Sequence, residues 1–402
     1  MYRQEQIAEI IDLQTNDFVQ KPSGVERTIL SLIPQIDNFA TIITGIRRCG
    51  KSTVLLQLMK KKWQEAIYFN WEDIRLAGFE TDDFSRLYNE IAKRSIKVLF
   101  FDEIQLVNNW EMFVHQLLRE GFKVFITGSN ASLLSKELGT NLTGRHLSIV
   151  LFPFSYTEFC KLKELNYNLD SIENYMQIGG LPDYAKSGEK AILQNLINDI
   201  LIRDIAIRYA LKDIESLKKL TAYLLTNTAC PVSANMLTTV IGLKSASSVL
   251  EYFSYLKNAY VVDFISQFSY SAKTQLRNPK KVYAIDLGLV NAVAFSFSDN
   301  KGRKLENLVF LHLRAKYNEI FYFKDKGECD FIVKEDGRIL NAIQVCYQIN
   351  DENFEREYNG LLTAMNYLDL TEGIIVTLNQ TDVFNKDGKT IKIIPSFVFL
   401  QS

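Results

Sequence analysis

The chain reads as an α/β protein built on a parallel sheet at its amino-terminal end, and three observations predict this. Apolar strand-like runs alternate with amphipathic stretches through the first 155 residues. Polar or glycine residues follow each of the first four runs, at the edge where open α/β sheets bind ligands. A glycine-punctuated turn, Gly45-Ile46-Arg47-Arg48-Cys49-Gly50-Lys51-Ser52, joins the first run to a helical stretch.

The strand runs are Thr41–Thr44, Ala66–Asn70, Lys97–Phe101, Lys123–Thr127 and Leu147–Phe152, together one compact nucleotide-binding domain over residues 1–155. From Tyr156 to about Lys212 helical spacing takes over, broken at Gly179-Gly180-Leu181-Pro182 by a turn or helix break. That stretch, 156–212, is expected to be a helical lid or connector. Next come three short helical patterns, Leu217–Thr226, Ser233–Ile241 and Ser245–Leu256, then strands Tyr260–Phe264 and Lys281–Ile285. Three helices and a hairpin predict a winged helix-turn-helix over 213–298.

Residues 299–402 change character again. A helix around Leu305–Tyr317 precedes strands Ile320–Phe323, Cys329–Val333 and Ile339–Val345, a helix from Glu352 to Leu368, and strands Gly373–Leu378 and Ile391–Pro395. Asp336-Gly337 is a hairpin signal within this region.

Composition narrows the function. A chain of 402 residues with 47% apolar content has room for two or three domains, each with its own core. The five cysteines are odd in number and never form a C-x-x-C pair, which points to a reducing, cytoplasmic setting. No apolar run approaches the roughly 18 residues a spanning helix needs, and the first residues lack the apolar core of a signal peptide. A net charge of −1 gives no global attraction to nucleic acid. The three histidines are too scattered for a zinc site.

The turn at Gly45–Ser52 has the pattern G-x-x-x-x-G-K-S, with a strand before it and the helical run Thr53–Met59 after it. Glycines let successive N–H groups point at phosphates, and the following helix presents its positive end there. Gly45, Ile46, Arg47, Arg48, Cys49, Gly50, Lys51, Ser52 and Thr53 are therefore expected to cradle ATP, with Lys51 on the β- and γ-phosphates and Ser52 on Mg²⁺. About fifty residues on, Val98-Leu99-Phe100-Phe101-Asp102-Glu103 ends an apolar strand in two acids. Asp102 would hold Mg²⁺ and Glu103 would polarise the attacking water. Ser129 and Asn130 stand where a polar group could sense the γ-phosphate, and Arg145 could stabilise its developing charge, in cis or toward a neighbouring subunit.

With these motifs, Tyr68-Phe69-Asn70-Trp71-Glu72-Asp73, Ile126-Thr127-Gly128-Ser129 and Gly144-Arg145, the chain resembles prokaryotic AAA-type P-loop ATPases in which the ATPase precedes a winged helix and a restriction-endonuclease-like domain. Gly179-Gly180-Leu181-Pro182, Arg203-Asp204 and Leu305-Glu306-Asn307 extend the resemblance over nearly the whole chain. It implies a parallel P-loop NTPase sheet with a helical lid, a winged helix and an α/β endonuclease-like domain. It also implies that the Lys123–Thr127 strand separates the acid-pair strand from the P-loop strand, and that the protein is a nucleotide switch.

Nucleases of that last fold use a helix acid, a strand Asp and E-x-K on the next strand. The corresponding residues here are Glu306, Asp330, Gln344 and Cys346, so a metal charge and the water-activating lysine are both missing. If the Asp336-Gly337 hairpin has a three-residue loop, Asp330 lies opposite Gln344. The domain is expected to be catalytically degenerate, kept for binding or assembly. Lys273, Arg277, Lys280 and Lys281 suit phosphate contacts by the wing, whereas Ser245–Glu251 is poor in base-reading side chains.

The expected function is a Mg²⁺-dependent ATPase whose nucleotide state rearranges its later domains, with nonspecific DNA or a protein as the winged-helix partner. A nucleotide-gated binding module with little hydrolysis is the alternative reading, and an ATPase-coupled metal nuclease is the third. Oligomeric state is open.

Overall fold

The structure is a computed structural model that describes residues 2–34, 36–129, 144–243, 245–293 and 300–402. The chain divides into two compact units, Met1–Phe152 and Pro153–Ser402.

The first unit is a five-stranded parallel sheet. Its strands are β1 (Ala40–Thr44), β2 (Ile67–Asn70), β3 (Val98–Asp102), β4 (Lys123–Gly128) and β5 (His146–Val150), in the order β2-β3-β4-β1-β5. Strand β4 therefore stands between the P-loop strand and the acid-pair strand, as the resemblance implies. Every residue of β1 is buried, because helices cover both faces of a parallel sheet. Helices α1 (Gln4–Gln20), α2 (Lys51–Lys62), α3 (Asp83–Lys93) and α4 (Trp110–Arg119) supply that cover.

Helix α1 also guards an edge. Strand β2 ends the sheet with unpaired backbone groups, a liability that proteins cover. The Gln14 side chain accepts from Asn70 N (2.8 Å) and donates to Asn70 O (3.1 Å). Thr15 does the same for Tyr68 through its hydroxyl, at 3.2 and 3.3 Å. Two side chains thus stand in for a neighbouring strand.

The second unit begins with α5 (Tyr156–Lys163), α6 (Leu169–Ile178), α7 (Pro182–Ser187) and α8 (Lys190–Asp199), the last continuing as a π-helical stretch, Ile200–Ile207. The break at Gly179–Pro182 is a close backbone crossing. Gly179 has φ +81°, and a Cβ there would lie 2.5 Å from Gly288 N. The buried Asp286 carboxylate fastens the crossing, accepting from Gly180 N at 2.6 Å and Leu289 N at 3.3 Å. Burial pushes its pKa up to about 6, against the opposing effect of those amides.

Helices α9 (Ile214–Thr226), α10 (Ala234–Ile241) and α11 (Ala246–Asn258) follow, with the short strand β6 (Pro231–Val232) and the antiparallel pair β7 (Val262–Gln267) and β8 (Lys280–Ala284), whose connection holds α12 (Ala272–Arg277). Then come α13 (Leu287–Val293), α14 (Lys301–Arg314), β9 (Glu319–Lys324), β10 (Glu328–Glu335), β11 (Arg338–Val345), α15 (Phe354–Tyr367), β12 (Glu372–Thr377), β13 (Asp382–Lys386), β14 (Lys389–Pro395) and α16 (Ser396–Phe399). One nine-stranded sheet runs β13-β14-β12-β11-β10-β9-β7-β8-β6, joined through parallel pairing of β7 with β9.

Two expectations change here. The β10–β11 turn holds two residues, Asp336 and Gly337, both with positive φ, and not three. A bulge restores the expected register: Lys334 pairs with Ile339 and Val333 with Asn341, which leaves Leu340 as the extra residue and sets Phe331 against Ile343. Asp330 is thereby level with Gln344. Lys281, expected on the wing surface, instead turns inward to two carboxylates. Among the described residues no helix is long and apolar enough to cross a membrane, and none of the five cysteines is in a disulfide.

Candidate nucleotide site

The site lies at the carboxyl edge of the first unit's sheet, where β1, β3 and β4 end side by side. Thr44 is level with Gly128, and Phe101 with Ile126. The phosphate loop leaves β1 through Gly45, whose φ is +146° and whose absent Cβ would lie 2.2 Å from Leu151 O and 3.1 Å from Cys49 Sγ. Only glycine fits so close to another backbone. Arg48 (φ +63°) and Gly50 (φ +97°) complete the curl, and Gly50 caps α2.

Lys51 opens α2 and is 6% exposed. Its ammonium donates to Gly45 O and Ile46 O, both at 3.2 Å, and so points back into the concavity of its own loop. Ser52 is exposed in the first turn of α2, beside half-buried Thr53. The helix N-terminus and an inward ammonium together make an anion cradle. The Cys49 thiol is fully buried, and burial raises its pKa against the opposing charges of Lys51 and Arg27, so it acts as a packed apolar group.

The acids are held by β2 and β4. Asp102 is buried, with one carboxylate oxygen accepting from Thr127 Oγ1 and the other from Tyr68 OH at 2.7 Å. Thr127 Oγ1 also accepts from Glu103 N at 3.1 Å, so one hydroxyl fixes both acids. Glu103 sits in the left-handed region (φ +53°), which turns its side chain off the strand line. Burial raises its pKa, the Lys51 ammonium pulls it down, and Asp102 and Glu72 add to the rise. Its carboxylate accepts from the Gln105 side-chain amide.

The sheet brings most of the predicted residues together. Gly45–Thr53, Asp102 and Glu103 converge, and buried Ser129 follows β4 directly between the two motifs. Asn130 lies outside the described residues. Arg145 is exposed and precedes β5; its carbonyl accepts from Ala40 N at the start of β1. It therefore sits at the amino edge, roughly 16 Å of strand from the phosphate loop.

Three residues without a predicted role belong to the site. Thr127 and Tyr68 position Asp102, and both fall within segments that carry the family resemblance. Arg27 is buried behind the loop, its guanidinium donating to Cys49 O at 2.7 Å and Phe152 O at 2.6 Å, while its backbone N–H donates to Gln57 Oε1 at 3.1 Å. Nothing local in Gly24-Val25-Glu26-Arg27 marks it.

Comparison with known proteins matches residues 37–160 to a family described as "AAA domain" and residues 169–300 to "Domain of unknown function (DUF8612)". "Uncharacterized protein MJ1544" of Methanocaldococcus jannaschii is 36% identical over 389 residues, covering 90% of this chain and 86% of that protein. An "Uncharacterized protein" of Haemophilus influenzae is 30% identical over 366 residues, covering 83% of this chain and 91% of its own length. Among solved structures, the Thermotoga maritima RuvB Holliday junction branch migration motor aligns at 16% identity over 65% of this chain and 89% of that one, with a TM-score of 0.27, a likeness too low to bear on function. The AAA match, falling on the loop and acid pair just described, identifies an AAA-type P-loop domain. With two relatives aligned over most of their lengths, the chain belongs to the family of MJ1544, and in this chain the AAA-type domain lies in the first of two compact units.

Proposed function

We propose that this chain is a Mg²⁺-dependent ATPase that works as a nucleotide switch, its bound state governing the region after residue 155. The observation that carries the reading is the convergence of Lys51 with Asp102 and Glu103 at one edge of one sheet, with Thr127 bonded to both acids.

The residues suit the ion. The bonds shown to Asp102 come from two neutral hydroxyls, and its carboxylate with the Ser52 hydroxyl offers oxygen ligands of the kind Mg²⁺ prefers. Ser52 and Asp102 would hold Mg²⁺, which would supply positive charge against that of the β- and γ-phosphate oxygens. Lys51, released from Gly45 O and Ile46 O, would bind the same oxygens. Glu103, made more basic by burial, would take the proton from the attacking water. Ser129 would report on the γ-phosphate. Arg145, at the opposite edge, would serve a nucleotide held by another copy of the chain.

For the second unit, α9–α11 with the β7–β8 pair fit a winged helix, and the sheet from β9 onward fits a degenerate endonuclease-like domain. The groove between α11 and the hairpin is lined by Leu250, Phe253, Leu276, Arg277 and Lys280. Leu250 is 55% and Leu276 79% exposed where base-reading side chains would stand, which favours a protein partner over sequence-specific DNA. Nonspecific DNA contact through Lys273, Arg277 and Lys280 is the lesser reading.

Phosphate release from ATP by the purified chain tests the proposal. Wild type should hydrolyse ATP and Lys51→Ala should fall to background; equal rates in the two would refute the site. The bond from Gln105 to Glu103 favours one alternative, a module that binds ATP tightly and turns over slowly, because an amide donor to the carboxylate makes it a weaker base.

A further inference from the structure

The second unit contains a buried charge cluster that the nucleotide site does not use. Lys281 on β8 places its ammonium 2.8 Å from Asp330 Oδ1 on β10 and 3.0 Å from Glu306 Oε1 on α14. The three side chains are 11–12% exposed. Tyr283, two residues along β8, donates its hydroxyl to the same Glu306 oxygen at 2.7 Å. The other Asp330 oxygen accepts from Val345 N at 3.0 Å.

Glu306 and Asp330 are the helix and strand acids that correspond to the metal-binding pair of a restriction-endonuclease-like domain, which implies a divalent ion between them. The residues present do not fit such an ion. Gln344, at the position of the next acid, directs its carbonyl oxygen to Asp330 N (3.1 Å) and its amide to Glu357 Oε2 (2.6 Å). Its one candidate ligand atom is spent on the backbone. Cys346, at the position of the lysine, packs in the apolar core, with its thiol directed to Gln348 O. Among the described residues no group of three or more His, Cys, Asp or Glu is arranged to hold a metal.

We propose that the Lys281 ammonium permanently occupies the seat that a divalent ion would take between Glu306 and Asp330, so that the cluster is a built-in cation bridge and not a hydrolytic centre. The proposal rests on the endonuclease-like reading of this region and is independent of the ATPase assignment. The ammonium bonds to both acids in a buried setting, one positive charge shared by two carboxyl groups, and without it the pair would hold no cationic partner. The bridge also ties three elements together, fastening β8 and its hairpin to α14 and β10. Lys281 does not make good the lysine absent from β11, because it stands where the metal would stand and not where a water-activating group would.

Mn²⁺ binding to the full chain without nucleotide, followed by electron paramagnetic resonance, tests this. Wild type and Asp330→Asn should bind Mn²⁺ identically, because Asp330 offers no metal seat while Lys281 is present. Lys281→Met should gain a Mn²⁺ site that Lys281→Met/Asp330→Asn lacks, and Lys281→Arg, which keeps the charge, should gain none. A wild-type Mn²⁺ site lost in Asp330→Asn would overturn the proposal, as would a folded Lys281→Met chain that gains no site. Should Lys281→Met fail to fold, the wild-type comparison with Asp330→Asn still decides. Plasmid nicking by wild type in Mn²⁺, abolished by Asp330→Asn, would overturn the cation bridge while upholding the endonuclease-like reading, and phosphate release at Lys51 is scored separately from both.

Discussion

Each unit of the chain holds a cluster of two carboxylates and one lysine, and the two arrangements lead to opposite chemistry. In the first unit Lys51 is bonded to carbonyls of its own loop, while Asp102 is bonded to the hydroxyls of Thr127 and Tyr68. The negative and positive groups are held apart, each by neutral partners, so both remain available to a charged ligand. In the second unit Lys281 lies directly between Glu306 and Asp330. There one ammonium is already engaged by both acids. Residue inventory does not make a site; what matters is whether the fold spends its charges internally or keeps them apart.

The largest expected effect comes from Glu103. Glu103→Gln keeps the shape and removes the base, so ATP turnover should fall by about 10²–10⁴-fold, the range for loss of general-base catalysis. ATP affinity, measured by calorimetry, should stay within a few-fold of wild type. Turnover that is already negligible and does not change on this substitution would instead place the protein among slow nucleotide-gated modules. It would also narrow the contrast between the two units, because the first would then be a binding centre only.

Arg27 is the next test. Its guanidinium donates to carbonyls of Cys49 and Phe152, joining the phosphate loop to the chain that follows β5. Arg27→Met leaves those buried carbonyls without their donor, at a cost of about 1–3 kcal/mol each where no water replaces it. Weaker ATP binding and a lower melting temperature should appear together. A stable variant with unchanged ATP affinity would show that the loop keeps its shape without this strap, leaving the separation of charges to Thr127 and Tyr68 alone.

What could be read in advance follows from range along the chain. The phosphate loop and acid pair were legible because each is a contiguous run with a required flank, whereas the Asp330–Gln344 register was expected from a three-residue loop and is reached through a two-residue turn and a bulge. The amino-edge position of Arg145 was also legible: a residue that precedes a strand in a parallel sheet lies opposite the edge where the P-loop begins. The helix Gln4–Gln20 carried a signal in Ile7, Ile10, Ile11, Gln14 and Phe18, which recur at helical spacing and are all buried. Lys281 was not legible. In sequence it belongs to a basic, acid-free stretch, and its partners lie 25 and 49 residues away on elements that only the nine-stranded sheet brings to it. Arg27 was hidden for the same reason, since its acceptors are backbone carbonyls, which leave no trace in side-chain pattern.

The smallest expected effect concerns helix α14, which carries Glu306 and, further along, His312. The two respond to burial in opposite ways. Burial and the Asp330 charge push Glu306 up to about 7, with Lys281 and Tyr283 opposing, so its contribution to stability is fully present at low pH and is lost as pH rises toward 7. Burial, aided by Lys316, depresses His312 to about 3. Between about pH 6.5 and 3 the unfolded chain therefore binds a proton at this histidine that the folded chain does not, and stability drops as pH is lowered through that window. His312→Asn removes this term and leaves that of Glu306, so the difference in unfolding free energy between variant and wild type should shift toward the variant on going from pH 7 to pH 4.5, by on the order of 1 kcal/mol. Denaturant unfolding at the two pH values measures it, and the change in the difference is what counts, because lost contact with Phe399 lowers the variant's stability at both. A difference that stays constant would mean that His312 takes up its proton without unfolding. The second unit would then accept a new positive charge near its core.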